Sequence, residues 1–164
     1  NNAGIAVSGA LIEVDPDDFG KQLEVNVTGP RLVTQAVAPL LGVDKSLKGN
    51  PGRIVNISSV GGKRAFPFIG PYAASKFAIE GFSESLRREL MLFGIDVIII
   101  GPGAVKTAIW DKAEEIDISR YGNSPYLQIL QNFQNTFIAQ GRKGFPPETL
   151  GRLIHKARTV ATPT

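Results

Sequence analysis

Two short runs of apolar, β-branched residues, Arg53-Ile54-Val55-Asn56-Ile57 and Asp96-Val97-Ile98-Ile99-Ile100, stand out against the longer periodic segments around them. Runs of this length and composition predict strands of a parallel sheet covered on both faces. Between them Tyr72, Lys76, Ile79, Ser83, Leu86 and Leu90 recur at helical spacing, with Pro71 in the first turn after Gly70 and Gly94 at the stop. Strand, helix and strand in this order predict a right-handed crossover and an α/β fold. Ligands of such sheets bind beyond the carboxyl ends of the strands, where Ser58-Ser59 and Gly101-Pro102-Gly103 fall.

An earlier helix is predicted over residues 15–41, N-capped by Asp15 and followed by Pro16 and the acidic pair Asp17-Asp18. Pro30 interrupts it, having no N–H for the carbonyl of Asn26, and Gly29 loosens the same turn. Two readings follow: a kink that curves the helix over the sheet, or a freed carbonyl able to hold a water. Residues 41–52 read as a polar loop without a functional role. Beyond Gly103, an amphipathic helix is predicted over residues 125–139, with Tyr126, Ile129, Leu130, Phe133 and Phe137 on one side. The final helix begins near Pro147 and is expected to bury Leu150, Leu153, Ile154 and Ala157, with Arg158-Thr159-Val160-Ala161 as the stub of a last strand.

Composition narrows the class. The 164 residues are 43% hydrophobic and 20% charged, which suits one globular domain with a real core. Cysteine is absent, which excludes a disulfide framework, cysteine-based zinc sites and thiol catalysis. The net charge of +3 comes from scattered pairs such as Lys63-Arg64 and Arg87-Arg88 rather than a basic stripe, so no nucleic-acid partner is expected. No apolar run approaches the 18 or so residues that cross a bilayer. Cytoplasmic localisation is the default expectation, with targeting left open because the chain starts at Asn1 without an initiator methionine.

Tyr72 and Lys76 carry the candidate chemistry. Residues i and i+4 share one helical face, which sets the lysine beside the phenol. A free tyrosine has a pKa of about 10, so it needs help to act as a base near neutrality. An ammonium about 4 Å away, at an effective dielectric near 20, favours the phenolate by about 4 kcal/mol. Ser59 lies thirteen residues upstream, in the turn that ends the first strand. The pair alone recurs on many solvated helices, so its meaning depends on this setting.

With these residues placed, the chain resembles the short-chain dehydrogenases and reductases of the Tyr-x-x-x-Lys type. The motifs run in the family's order: Asn1-Asn2-Ala3-Gly4, Asn26 in Asn-Val-Thr-Gly, Asn56-Ile57-Ser58-Ser59, Tyr72-x-x-x-Lys76, and Pro102-Gly103 with Thr107 four residues on. The resemblance implies the C-terminal portion of a doubly wound, parallel-sheet Rossmann fold, forming a single partial domain over residues 1–164 with a helical lid at about 108–145. It implies an oxidoreductase that moves hydride between NAD or NADP and an alcohol or ketone. Tyr72 would be the acid or base, and Ser59, rather than Ser58, would hydrogen-bond the reacting oxygen. Lys76 would lower the tyrosine's pKa and hold the nicotinamide ribose, while Asn26 would bind a relay water. Cofactor contacts would come from Asn2, Ala3 and Gly4, from Tyr72 and Lys76, and from Pro102, Gly103, Val105 and Thr107.

One departure is large. The family's glycine-rich, pyrophosphate-cradling front is not in this sequence, a gap on the order of 80 residues at about 30 per βαβ unit. The segment is therefore expected to be inactive and poorly soluble by itself. A homo-dimer or homo-tetramer is implied, with the small residues Ala74, Ala78 and Gly81 of the Tyr72 helix facing a partner. The apolar stripe over residues 109–138 suggests a lipid-like alcohol as substrate, or equally packing on the protein's own core or a neighbouring subunit. A non-catalytic binding or regulatory protein on a truncated dehydrogenase scaffold is the alternative. A serine hydrolase is excluded, because residues 57–61 lack the Gly-x-Ser-x-Gly elbow and the only histidine, His155, is remote in sequence.

Overall fold

The computed structural model describes residues 1–160, and its centre is a pair of parallel strands joined by one long helix. Strand β1 (Arg53–Ile57) and β2 (Asp96–Ile100) pair in register, Arg53 opposite Asp96 and Ile57 opposite Ile100. The Arg53 guanidinium meets the Asp96 carboxylate across that first pair at 3.0 Å. On the other side of β1, the N-terminal nitrogen of Asn1 donates to the Val55 carbonyl (2.9 Å) and the Ile57 N–H donates to the Asn1 carbonyl (3.0 Å). That exchange is a parallel bridge, and it seats the first residue against the sheet beside the end of β1.

The sheet is not the doubly covered one the apolar runs predict. In β1 burial alternates, with Ile54 and Asn56 inside, and in β2 only Val97 is fully buried. Two strands leave much of one face and the outer edge of β2 without neighbours, and a cavity of about 720 Å³ runs there between β2 and the connecting helix. The compact core lies toward the amino ends of the strands, where Ile54, Leu90, Ile95 and Val97 pack with Leu41, Val43, Leu86 and Phe93. The carboxyl ends are thereby left for other uses.

The predicted helix over residues 15–41 resolves into pieces. Helix α1 (Pro16–Leu23), capped by Asp15 accepting from the Asp17 N–H at 2.8 Å, leads into a π-helical turn over Glu24–Thr28. Helix α2 (Gly29–Val37) and a 3₁₀ turn (Ala38–Leu41) complete it. Pro30 has no N–H to give the Asn26 carbonyl, so the register widens by one residue, and the Gly29 N–H reaches back to Glu24 instead. The proline's effect is a π-turn centred on Asn26 rather than a simple bend.

Helix α3 (Gly70–Leu90) matches its predicted span, followed by one 3₁₀ turn before Gly94. The segment expected to form a lid holds α4 (Ile109–Glu114) and α5 (Leu127–Gly141), and α6 (Pro147–Thr159) follows. In α5 the inward stripe is Leu130, Phe133, Phe137 and Ile138, whereas Ile129 is 56% exposed, about 100° round the helix from Leu130. Helix α6 buries no residue fully, and Leu153 is half exposed, because it rests on a single strand, tied by the Arg53 guanidinium to the Ala157 carbonyl at 3.0 Å. Amphipathic spacing showed which face would turn inward but not how few neighbours would meet it. Arg158 and Thr159 finish α6 instead of opening a strand, and Ala161 lies outside the described residues. No described helix is long and apolar enough to cross a membrane.

Candidate functional site

The site forms where β1, β2 and the first turns of α3 converge. Beyond Ile57 the chain leaves the sheet, yet the Ser58 N–H still donates to the Ile100 carbonyl (2.8 Å) and the Val60 N–H to Pro102 (3.0 Å). The two strand-end loops are thus stitched together. Ser59 caps the next 3₁₀ turn (Val60–Gly62), its hydroxyl accepting from the Gly61 N–H at 3.0 Å. An oxygen that accepts there retains its own O–H to donate elsewhere.

Gly61 lets Ser59 and Tyr72 meet. A methyl added at Gly61 would stand 3.1 Å from Cε1 of Tyr72 and 3.5 Å from Oγ of Ser59, so phenol and hydroxyl flank one residue that has no side chain to separate them. Ser58 faces another way. It is 2% exposed, its hydroxyl has no hydrogen-bond partner among the described residues, and it lies against Gly62.

Lys76 sits one turn beyond Tyr72, as the spacing requires, but its ammonium lies over the ring face, 5.6 Å from the centroid, and donates to the Ile57 carbonyl at 2.9 Å. Burial pushes the Tyr72 phenol above its ordinary 10.0, with the Ser59 hydroxyl pulling the other way, and burial pushes the Lys76 ammonium below 10.5. Desolvation of the half-buried phenol is the larger of these two influences on Tyr72, and the Ser59 hydroxyl the smaller. As the chain stands, the phenol is held in its proton-bearing form.

Asn26 is buried on the π-turn, and its carboxamide grips residue 5 at both backbone groups: Oδ1 accepts from the Ile5 N–H (2.9 Å) and Nδ2 donates to the Ile5 carbonyl (3.0 Å). Nδ2 also reaches the Ser75 hydroxyl at 3.0 Å, and that hydroxyl donates to the Tyr72 carbonyl at 2.7 Å. The side chain of Asn26 thus ties it to the Tyr72 helix.

The remaining predicted residues line the rim. Asn2, Ala3 and Gly4 run exposed from the Asn1 bridge, and Gly4 passes so close to Asn26 that an added methyl would stand 3.3 Å from its Oδ1. Pro102 is half-buried and Gly103 opens onto free space. Val105 bridges Phe145 and accepts the Trp110 indole N–H at 2.7 Å, while Thr107 lies exposed beside a cavity of about 280 Å³ that Trp110 and Arg142 also line. Among the described residues no hydrogen bond joins Val105 or Thr107 to Ser59, Tyr72 or Lys76, so these two belong to the rim and not to the centre.

Two contributors were not foreseen. Gln22 and Ser75 are each 0% exposed and hydrogen-bond with one another. The available signal was spacing: Gln22 lies four residues before Asn26 and so on the same helical face, a second carboxamide on a stripe that is otherwise buried.

Comparison with known proteins identifies the family. The sequence profile described as short chain dehydrogenase matches residues 1–117. An NADPH-dependent 3-dehydrocapnine reductase of Ornithobacterium rhinotracheale is 41% identical over 163 residues, covering 99% of this chain and 57% of that protein. The uncharacterized oxidoreductase YusZ of Bacillus subtilis is 37% identical over 160 residues, covering 97% and 55%. Among solved structures, a gluconate 5-dehydrogenase from Burkholderia cenocepacia, in complex with NADP and tartrate, superposes with a TM-score of 0.62 at 31% identity, covering 72% of this chain and 44% of the other. The chain spans about half the length of the curated relatives it matches.

Proposed function

Because this chain belongs to the short-chain dehydrogenase family, with the C-terminal part of that family's Rossmann fold, we propose that it carries the proton-transfer half of an NAD(P)-dependent oxidoreductase acting on an alcohol or carbonyl. The observation that supports this most is the convergence of Ser59 and Tyr72 around Gly61, with the Lys76 ammonium over the same ring. A phenol kept protonated by burial can donate to a substrate carbonyl oxygen. The Ser59 O–H, free to donate while its oxygen accepts from Gly61, would steady charge developing on that oxygen. In the reverse direction Tyr72 must first lose its proton, so that the phenolate can accept one from the alcohol, and the ammonium over the ring favours that anionic form.

The residues fit a nicotinamide cofactor. Lys76 has three N–H donors and one goes to Ile57, which leaves two for the vicinal hydroxyls of a ribose. Asn2, Ala3 and Gly4 on one side, and Pro102 and Gly103 on the other, frame the strand ends, with Val105 and Thr107 farther along the rim. When bound, the nicotinamide supplies or takes up the hydride. The chain's part is to bind, to orient the substrate oxygen and to hold or release the proton at the Tyr72 oxygen. Relatives named for NADPH and structures holding NADP or NAD support the cofactor class.

Tyr72→Phe tests the assignment in the intact protein. Removing the hydroxyl while keeping the ring is expected to lower turnover by about 10²- to 10⁴-fold with cofactor binding retained. Unchanged turnover would refute the role of Tyr72.

A further inference from the structure

We propose that Gln22 is a positioning residue: with Asn26 it forms a two-carboxamide clamp that fixes residues 5–7, and with them the cofactor-facing segment 2–4, to the Tyr72 helix through Ser75. The inference rests on the reading of Tyr72 as the acid/base and extends it to a residue outside the motifs.

A glutamine excluded from water is costly unless its amide is satisfied, and here it is. Oε1 accepts from the Val7 N–H at 2.7 Å, and Nε2 donates to the Ile5 carbonyl at 2.9 Å and to Oγ of Ser75 at 3.3 Å. Asn26 repeats the pattern two residues earlier along the segment, on the Ile5 N–H, the Ile5 carbonyl and the same Ser75 hydroxyl. The N–H groups of residues 5 and 7, on one edge of an extended segment, are thus paired by side chains of a helix where a sheet would supply a neighbouring strand.

Ser75 closes the clamp. A hydroxyl has one proton and two lone pairs. Its proton goes to the Tyr72 carbonyl at 2.7 Å, and its oxygen receives both carboxamides. All its capacity is used, so any sliding of residues 5–7 against α3 must break bonds to the buried Gln22 and Ser75. Catalysis depends on the distance between the Tyr72 oxygen and a cofactor lying along residues 2–4, and the clamp connects the supports of both.

Gln22→Met keeps length and bulk but removes every polar atom. In the intact protein the amide of Val7 should exchange about tenfold faster or more by NMR hydrogen exchange. Turnover (kcat) should fall by about 10- to 100-fold, with substrate KM changing far less than kcat. Ser75→Ala serves as the second variant and suffices if Gln22→Met does not fold. It cuts the tie to α3 and leaves the carboxamides on residues 5–7, so kcat should fall while the Val7 amide stays protected. Wild-type kcat in either folded variant, or unchanged Val7 exchange in folded Gln22→Met, would overturn the clamp. A Tyr72→Phe protein that turns over normally would overturn the acid/base reading instead, and the exchange readout separates the two because it needs no turnover.

Discussion

The Tyr72 wedge and the lid are built from different forces. In the wedge, formed by residues 1–7, the Gln22–Asn26 turn, β1 and α3, position is set by directional hydrogen bonds between buried groups. Asn1 joins Asn56 (2.7 Å), Asn56 joins Ser83 (2.7 Å), and two turns up the same helix Ser75 joins Gln22 and Asn26. In the lid, Trp110, Phe137, Phe133 and Tyr126, with Phe68 from the loop before α3, form a chain of rings with centroids 5.3 to 6.2 Å apart. Ring contacts tolerate sliding, whereas a saturated hydroxyl does not. Under the proposed function, the part that would place a proton is held by bonds that fail abruptly, and the part that would admit a substrate by contacts that adjust.

Breaking the wedge should therefore cost chemistry, and breaking the lid should cost affinity. The largest effect beyond Tyr72 itself is expected for Ser59→Ala, which removes a donor to the reacting oxygen and should lower kcat by about 10²- to 10³-fold in steady-state assays. Gly62→Ala comes next. Its new methyl would stand 2.8 Å from the Lys76 carbonyl and 2.8 Å from Oγ of Ser58, and overpacking of this kind should destabilise the fold by about 1–3 kcal/mol in denaturant melts. Phe133→Leu loses two ring contacts worth about 1–3 kcal/mol together and should raise substrate KM with kcat nearly unchanged; a fall in kcat as large as that of Ser59→Ala would erase the contrast. Smallest of all, Leu92→Glu, at a side chain 82% exposed and remote from both regions, should change stability by no more than about 0.5 kcal/mol.

The contrast also explains what the sequence revealed. Tyr72 and Lys76 are joined by helix geometry alone, and β1, β2 and α3 follow from local patterns, so all were legible. Ser59 needed only its place at a strand end. The clamp was not, because the Ile5, Val7, Gln22 and Ser75 contacts span 15 to 53 residues and a lone glutamine on an amphipathic helix reads as solvated surface. The height of Lys76 over the ring was hidden as well: i,i+4 spacing brings two side chains together but does not choose between the edge and the face of a phenol. Ile129 and α6 failed for a related reason, since periodicity names a face and tertiary neighbours decide its burial.

The phenol's protonation state is the most direct test of the account, because it depends on the wedge and needs no substrate. The chain has three tyrosines, so an ultraviolet titration of the cofactor-free protein minus that of Tyr72→Phe isolates one phenol. With the folded pKa above the unfolded 10.0, Tyr72 contributes stability that is intact below about pH 10 and is lost as pH rises through the folded value. The account predicts that the difference absorbance of the phenolate appears only above the ordinary tyrosine value. A phenolate that appears at or below pH 10 in the free protein would contradict it, because the Lys76 ammonium and not burial would then set the charge of the site.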